Sequence, residues 1–196
     1  AAGDRRLRRL EAQLARQDAA GELGSERHVT ALLGVEEPEV VVAAGRILQR
    51  NLLETPKAGF VNVPFSLLPR WRGAAPVERA IQAGDDYPGV SLMVLDVGMD
   101  TGPVFAVAET PISEYETAGQ ITGRLSSLGA DVLRDHLDDY LHDRLRPARQ
   151  MRTGATMAPR LTTAEARLDI EQGPASFARA VRAFNPRPGA WFEAEN

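Results

Sequence analysis

The feature that most constrains the fold of this chain is a series of short apolar runs, each followed by a turn or a loop. The runs cover residues 39–43, 59–63, 90–95 and 104–108. Continuous apolar runs of this length are typical of strands buried on both faces, as in parallel sheets. Residues 48–53 and 77–83 are predicted as short helices between them. The order predicts an α/β fold with a mostly parallel sheet, flanking helices and ligand loops at the strand ends.

The second half of the chain is predicted to be mainly helical at first and then turn-rich. Residues 116–145 carry one apolar stripe that could cover a sheet face, formed by Ile121, Leu125, Leu128, Val132, Leu133, Leu137 and Leu141. Pro147 ends this helix, and the polar stretch 149–169 suits a surface linker. A last helix is predicted at 175–184. Trp191 and Phe192 then resemble the start of a strand without a partner.

Composition and charge restrict the function classes. The chain has no cysteine, which excludes disulfides, thiolate zinc sites and a cysteine nucleophile. A net charge of -4 gives no overall electrostatic case for nucleic-acid binding, so any such binding needs a local patch. No apolar run approaches the roughly 20 residues that span a bilayer. We therefore expect a cytoplasmic protein with no membrane or DNA partner.

Two motifs occupy the loops after the predicted strands. Residues 60–76 read FVNVPFSLLPRWRGAAP, and residues 96–102 read DVGMDTG. The first is very similar to the signature of methionyl-tRNA formyltransferases, a folate-dependent formyltransferase family, and the second resembles that family's second motif. Further similarity at Gln150 and within residues 158–169 and 183–191 makes the resemblance nearly continuous from about Pro38 to Phe192.

The resemblance implies a division of the chain. Residues 1–37 are set apart as an atypical helical segment, in which Leu7, Leu10 and Leu14 form one stripe. This segment is interpreted as an amphipathic helix or loose tail, or else as an arm that binds RNA or a partner. Residues 38–147 are expected to be the later part of the catalytic domain, lacking the family's first strand and helix. Residues 148–174 are expected to be a linker, and 175–196 the start of a truncated tRNA-binding β-barrel.

The family transfers a formyl group from 10-formyltetrahydrofolate to the amino group of methionyl-initiator tRNA. Such a reaction requires donors to a tetrahedral oxyanion and a route for the proton that leaves the amine. The family uses an Asn, a His and an Asp. By motif position the Asn is Asn62, and the Asp is Asp100, which would orient the His and take part in proton transfer. Without the resemblance, both residues would be interpreted as turn formers.

The family's histidine falls on Pro64. Proline has no side-chain donor, no titratable group and no backbone N–H, so it cannot do the work of histidine. The other histidines are His28, in the unmatched segment, and His136 and His142, on the predicted covering helix. None of them is expected to substitute.

The resemblance assigns folate binding to a run of apolar loop residues: Ser66, Leu67, Leu68 and Pro69. From the residues alone, such a run either plugs the core or meets an apolar ligand. Next to it lie three side chains suited either to the acceptor end of a tRNA or to anchoring the loop by packing: Arg70, Trp71 and Arg72.

The leading hypothesis is an incomplete methionyl-tRNA formyltransferase, with 10-formyltetrahydrofolate as cosubstrate, initiator methionyl-tRNA as substrate, no metal, and a monomeric state when complete. One alternative is another folate-dependent enzyme that formylates a nucleotide or sugar amine, although residues 71–76 and 184–186 favour the tRNA enzyme. An alternative from another class is a catalytically inactive folate- or tRNA-binding module, and Pro64 is its main support.

Overall fold

The computed structural model describes residues 39–41, 53 and 58–193. The predicted helix 48–53 lies outside the described residues apart from Leu53, which is helical. The predicted N-terminal segment 1–37 also lies outside them. The six strands among the described residues are β1 (Glu39–Val41), β2 (Phe60–Asn62), β3 (Arg72–Gly73), β4 (Gly89–Val94), β5 (Val104–Glu109) and β6 (Met157–Ala158).

The main sheet has the strand order β1-β2-β4-β5. β1 and β2 are parallel, but β2 and β4 are antiparallel, as are β4 and β5. The α/β class is confirmed. The expectation of a mostly parallel sheet fails for the described strands. A strand buried on both faces has the same apolar pattern in either direction, so the sequence does not reveal its direction. Residues 95–103 are also too few for the crossover of about a dozen residues that parallel neighbours require.

Burial along the strands agrees with their positions in the sheet. β2 is buried throughout, and in β4 only the last residue is partly exposed. In β5 the buried Phe105 is followed two residues later by Val107, which is 57% exposed, so this strand has a more solvated face. The central strands therefore supply most of the sheet's contribution to the core.

A long helix covers one face of the sheet. This helix, α2 (Ala118–Leu141), begins at Thr117, whose hydroxyl accepts from the Gln120 N–H while the Gln120 side chain accepts from the Thr117 N–H. This reciprocal capping satisfies backbone donors at the helix start. Of the predicted stripe, all but the last residue are buried or packed against the core, and Leu141 is 37% exposed. The helix ends at Leu141 rather than at residue 145.

Two shorter helices pack together beside α2. They are α1 (Pro76–Ala83) and α3 (Pro174–Ala183), which is preceded by a 3-10 turn, Ile170–Gln172. Both helices begin with proline at a position where its missing N–H costs no hydrogen bond. Ala183 belongs to the same hydrophobic core as Ile81 of α1 and Ile121 of α2.

The predicted linker is tied to the rest of the chain by backbone pairing. β3 pairs in parallel with β6, and Ala148 pairs with Val104. Trp191, which was expected to lack a strand partner, forms a parallel bridge with Arg167; that expectation was wrong. The partner was missed because an isolated bridge leaves no apolar run in the sequence. No helix of the described residues is long and apolar enough to cross a membrane.

Candidate active site

Asn62 is the last residue of β2 and lies between β1 and β4 in the sheet. It pairs in register with Val41 on one side and with Met93 on the other. The residue is 8% exposed, and its buried Oδ1 has no hydrogen-bond partner among the described residues. Buried amide groups are normally hydrogen-bonded. The described fold therefore does not use up this amide's hydrogen-bonding capacity.

Pro64 continues the extended chain two residues beyond Asn62. Its carbonyl accepts from the Ser91 N–H at 3.1 Å, which prolongs the contact between β2 and β4. Alternate residues of an extended strand share a face. Val61 and Val63 lie in the core, so Asn62 and Pro64 belong to the opposite face. The position of the family's histidine is thus a neighbour of Asn62, and it carries a side chain without donor or acceptor.

Asp100 lies in the turn between β4 and β5. Asp96 begins this turn by accepting from the Gly98 N–H at 3.0 Å and from the Thr101 hydroxyl at 2.6 Å. Asp100 has φ 50°, in the left-handed region that a non-glycine residue occupies only at a cost. Its Oδ2 accepts from the Gly73 N–H at 2.8 Å, so the second motif contacts the first.

Burial raises the pKa of the Asp100 carboxyl above its ordinary value. The Gly73 N–H and the charge of Arg72 act in the opposite direction, and the charge of Asp96 adds to the rise. A carboxylate with a raised pKa is a better proton acceptor than a free one.

The sheet brings Asn62 and the Asp100 turn to the same neighbourhood. Met93, the register partner of Asn62, precedes Val94, whose N–H donates to the carbonyl of Pro103 at 2.9 Å. Gly102 lies so close to β4 that an added Cβ would be 1.8 Å from the Val94 carbonyl oxygen. Only glycine allows the turn to approach this strand.

The predicted folate-binding residues lie beside β4, beyond the end of β2. The Ser91 hydroxyl donates to the Ser66 carbonyl at 2.7 Å and accepts from the Leu68 N–H at 3.1 Å. Leu67 packs over Gly89, where an added Cβ would be 2.4 Å from its Cδ2. Ser66 is 3% exposed, whereas Leu67, Leu68 and Pro69 are only partly buried. Leu67 thus fills a gap in the fold and still presents some surface.

A small cavity of about 30 Å³ lies beside these residues, lined in part by Ser66, Leu67, Trp71 and Tyr87. Ligand pockets usually have about 300 Å³ or more, so this cavity has room for water but not for a pterin ring. This cavity alone is therefore not a folate pocket. A larger cavity of about 190 Å³ lies between α1, α3 and residues 165–172, away from the two motifs.

Arg70 and Trp71 are both held by Asp85. Arg70 contacts the two carboxylate oxygens at 2.6 and 2.8 Å, and Trp71 Nε1 donates to Oδ2 at 2.7 Å. The Arg70 guanidinium also stacks 4.4 Å from the centre of the Trp71 ring. Burial opposes ionisation of Asp85, but the hydrogen bonds from Arg70 and Trp71 with the Arg70 charge outweigh it, and its pKa is lowered. These contacts favour the anchoring interpretation of both side chains.

Arg72 is held by Gln150. The Gln150 Oε1 accepts from Arg72 Nε at 3.0 Å and from Nη2 at 2.6 Å. The Gln150 Nε2 donates to the carbonyls of Asp100 at 2.8 Å and Gly102 at 2.7 Å. In the sequence, Gln150 is visible only as part of the resemblance. Asp85 and Ser91 carry no sequence signal, since each acts through partners far along the chain.

The hydrogen bonds of His136 and His142 are local to α2. His136, within α2, has its Nδ1 2.9 Å from the carbonyl of Val132, and His142, which caps the end of α2, has its Nδ1 2.8 Å from the carbonyl of Asp138. That neither of them replaces the family's histidine stays a prediction. Among the described residues, no group of three or more His, Cys, Asp or Glu side chains could hold a metal ion.

Comparison with known proteins gives close relatives over most of the chain. A methionyl-tRNA formyltransferase of Halorhodospira halophila is 47% identical over 182 residues, covering 88% of this chain and 59% of the relative. One of Chromohalobacter salexigens is 47% identical over 152 residues, covering 78% of this chain and 47% of the relative. The chain thus spans about half to three fifths of the length of these relatives.

Solved structures share the fold at lower identity. The N-formyltransferase of Helicobacter canadensis, in complex with folinic acid and dTDP-3-aminofucose, superimposes with a TM-score of 0.68 at 20% identity, covering 74% of this chain and 54% of that one. The family model described as formyl transferase matches residues 11–137, so the match begins inside the segment 1–37 and ends within α2. With a match over this much of its length, the chain belongs to the formyl transferase family.

Proposed function

We propose that this chain is part of a methionyl-tRNA formyltransferase, a cytoplasmic enzyme that acts in translation initiation. The reaction moves a formyl group from 10-formyltetrahydrofolate to the amino group of methionine on initiator tRNA. The observation that carries the proposal is 47% identity, over 88% of the chain, to a relative of that name. The further division into catalytic domain, linker and start of a barrel, with a monomeric state, belongs to the same proposal.

In this proposal Asn62 and Asp100 are catalytic residues. The amine nitrogen attacks the formyl carbon, and the carbonyl electron pair moves to oxygen. The Asn62 amide donates to that oxyanion, and the Asp100 carboxylate accepts the proton that the amine loses. When the carbonyl re-forms, the bond from carbon to N10 of the folate breaks and N10 takes up a proton. The raised pKa of Asp100 supports its role as proton acceptor. The position of Asn62 at the end of β2, in register with Met93 and near the Asp100 turn, supports its role as donor.

We propose that the folate lies against the surface of residues 66–69, which Ser91 holds in place. The folinic acid bound to the Helicobacter canadensis relative supports a folate ligand for this fold. Arg70, Trp71 and Arg72 then contribute to a tRNA site chiefly by shaping the loop. The guanidinium groups of both arginines are already hydrogen-bonded within the chain, although Arg70 keeps 42% of its side chain exposed.

A second candidate function is a folate- or tRNA-binding module without transferase activity. Pro64 favours it, because a positioned acid–base group contributes about 10²- to 10⁴-fold to rate and proline supplies none. The Pro64 carbonyl bond to Ser91 is a backbone contact, so another residue can occupy this position without losing it.

A transfer assay on the chain and two variants separates the two candidates. The purified chain, Pro64→His and the control Pro64→Ala are incubated with 10-formyltetrahydrofolate and methionyl-initiator tRNA, and formylmethionyl-tRNA is quantified. Pro64→Ala also removes the proline ring but adds no imidazole. The enzyme proposal predicts that Pro64→His exceeds Pro64→Ala by about 10²-fold or more. Equal rates in the two variants would contradict it and leave the binding module.

A further inference from the structure

The segment of residues 148–158, here called the bridging segment, runs between the two motif loops. Ala148 exchanges backbone hydrogen bonds with Val104 at 2.8 and 2.9 Å. In an antiparallel pair, this register brings Gln150 opposite Gly102. At its other end, the segment pairs with Arg72 and Gly73 through β6. Gln150 therefore lies where the second motif and the first motif meet.

Each end of the Gln150 amide serves a different motif. Its Nε2 donates to the backbone carbonyls of Asp100 and Gly102 at 2.8 and 2.7 Å, and its Oε1 accepts two N–H groups from Arg72. Gly73, which follows Arg72 in the chain, donates its N–H to the Asp100 carboxylate. These contacts close a ring that runs from Gln150 through Arg72 and Gly73 to Asp100 and back.

The backbone of Asp100 requires such support. A non-glycine residue with φ near 50° is in a sparsely populated region, which persists only where surrounding contacts hold it. Among the described residues, Asp100 accepts hydrogen bonds from the Gly73 N–H and from the Gln150 amide. Arg72 and Asp96 are the charged groups that act on its carboxyl. Without Gln150 the turn could relax to an ordinary conformation.

We propose that Gln150 is a positioning residue for Asp100: its amide joins the two motif loops and holds the Asp100 carboxylate at the site. This inference rests on the proposed function, and it extends the site beyond residue 137, where the formyl transferase match ends. The part of the chain interpreted as a linker would then contribute to the catalytic arrangement.

The variant Gln150→Met tests the proposal because it keeps the size of the side chain and removes all four hydrogen bonds. Its first readout is the titration of the Asp100 carboxyl carbon by NMR in the full chain. Release of the turn lessens the burial that raises the Asp100 pKa and frees Arg72 to approach the carboxylate, so the pKa falls. Arg72→Met removes a positive charge and is expected to move this pKa upward. Met151→Ala, at the exposed neighbouring position, is expected to leave it unchanged.

The second readout is formyl transfer in the Pro64→His background. Misplacing a reacting group by about 1 Å can cost about a hundredfold in rate. Adding Gln150→Met is therefore expected to lower kcat by about ten- to a hundredfold, with KM for the folate within about twofold. An unchanged Asp100 pKa in Gln150→Met would overturn the proposal. If Pro64→His shows no transfer, the proposed function fails, but the carboxyl titration still decides the role of Gln150.

Discussion

The core beneath α2 and the edge that carries the two motifs are built differently. In the core, side chains such as Ile121, Leu125 and Leu92 are fully buried and bring only apolar surface. The motif edge, formed by residues 62–73, 96–102 and 148–158, is held by polar groups whose partners lie far along the chain; Arg72 and Gln150 are 78 positions apart. The difference indicates that the core contributes most of the stability, whereas the edge carries the residues for which we propose a chemical role.

The largest expected change in stability comes from the core. Leu125→Ala removes a side chain with 0% exposure and leaves a cavity, so the free energy of unfolding should fall by about 2–5 kcal/mol. Chemical denaturation followed by circular dichroism measures it. The matched control is Leu141→Ala on the same helix, where 37% exposure predicts a much smaller loss. Equal losses in the two variants would contradict the claim that α2 is held by its core-facing stripe.

A smaller change is expected at Asp85, which holds the motif edge. Asp85→Asn weakens the contacts with Arg70 and Trp71. Because Arg70 is partly exposed, the free energy of unfolding at pH 7 should fall by only about 1 kcal/mol. The folded-state pKa of Asp85 is lowered, so its contribution is present above the ordinary carboxyl pKa and is lost as pH falls through the folded value. Chemical denaturation should therefore give a smaller difference in free energy of unfolding between wild type and variant at pH 3 than at pH 7. The same difference at both pH values would rule out the ion pair as the source of the stability loss.

The smallest change in stability is expected at Asp100. Its raised pKa means that folding is favoured while the carboxyl is protonated, and that this advantage is lost as pH rises through the folded value. Asp100→Asn keeps an acceptor for the Gly73 N–H and removes the buried charge, so the free energy of unfolding at pH 7 should stay within about 0.5 kcal/mol or rise. In the Pro64→His background, the same change should lower the transfer rate by about 10²- to 10⁴-fold. Retained transfer would remove Asp100 from the mechanism.

The same contrast explains how much the sequence could predict. The predicted strands at 90–95 and 104–108 and the stripe from Ile121 to Leu137 were correct within a few residues, because burial leaves a local apolar pattern. Strand direction was not predictable from that pattern. The pairing of β3 with β6 and the bridge between Arg167 and Trp191 involve one or two residues each and leave no local signal.

At the candidate site, the resemblance supplied Asn62 and Asp100, but nothing local predicted their supports. Gln150, Asp85 and Ser91 are ordinary polar residues in the sequence, and their roles depend on contacts between distant segments. Positive φ at Asp100 and Trp71 could not be anticipated either, because neither residue type requires it. The roles of Asn62 and Asp100 stay predictions until the variants are assayed.

We propose that residues 66–69 form the folate-binding surface and that the catalytic arrangement lacks one side chain, at Pro64. The most direct test is a calorimetric titration of the full chain and of Pro64→His with a non-hydrolysable analogue of 10-formyltetrahydrofolate. We expect saturable binding by both, with affinities within about threefold, since a factor of ten already corresponds to 1.4 kcal/mol. Binding by Pro64→His alone would contradict this proposal, because Pro64 would then be a defect of the folate-binding surface. No binding by either protein would also contradict it, because residues 66–69 would then form no folate site in this chain.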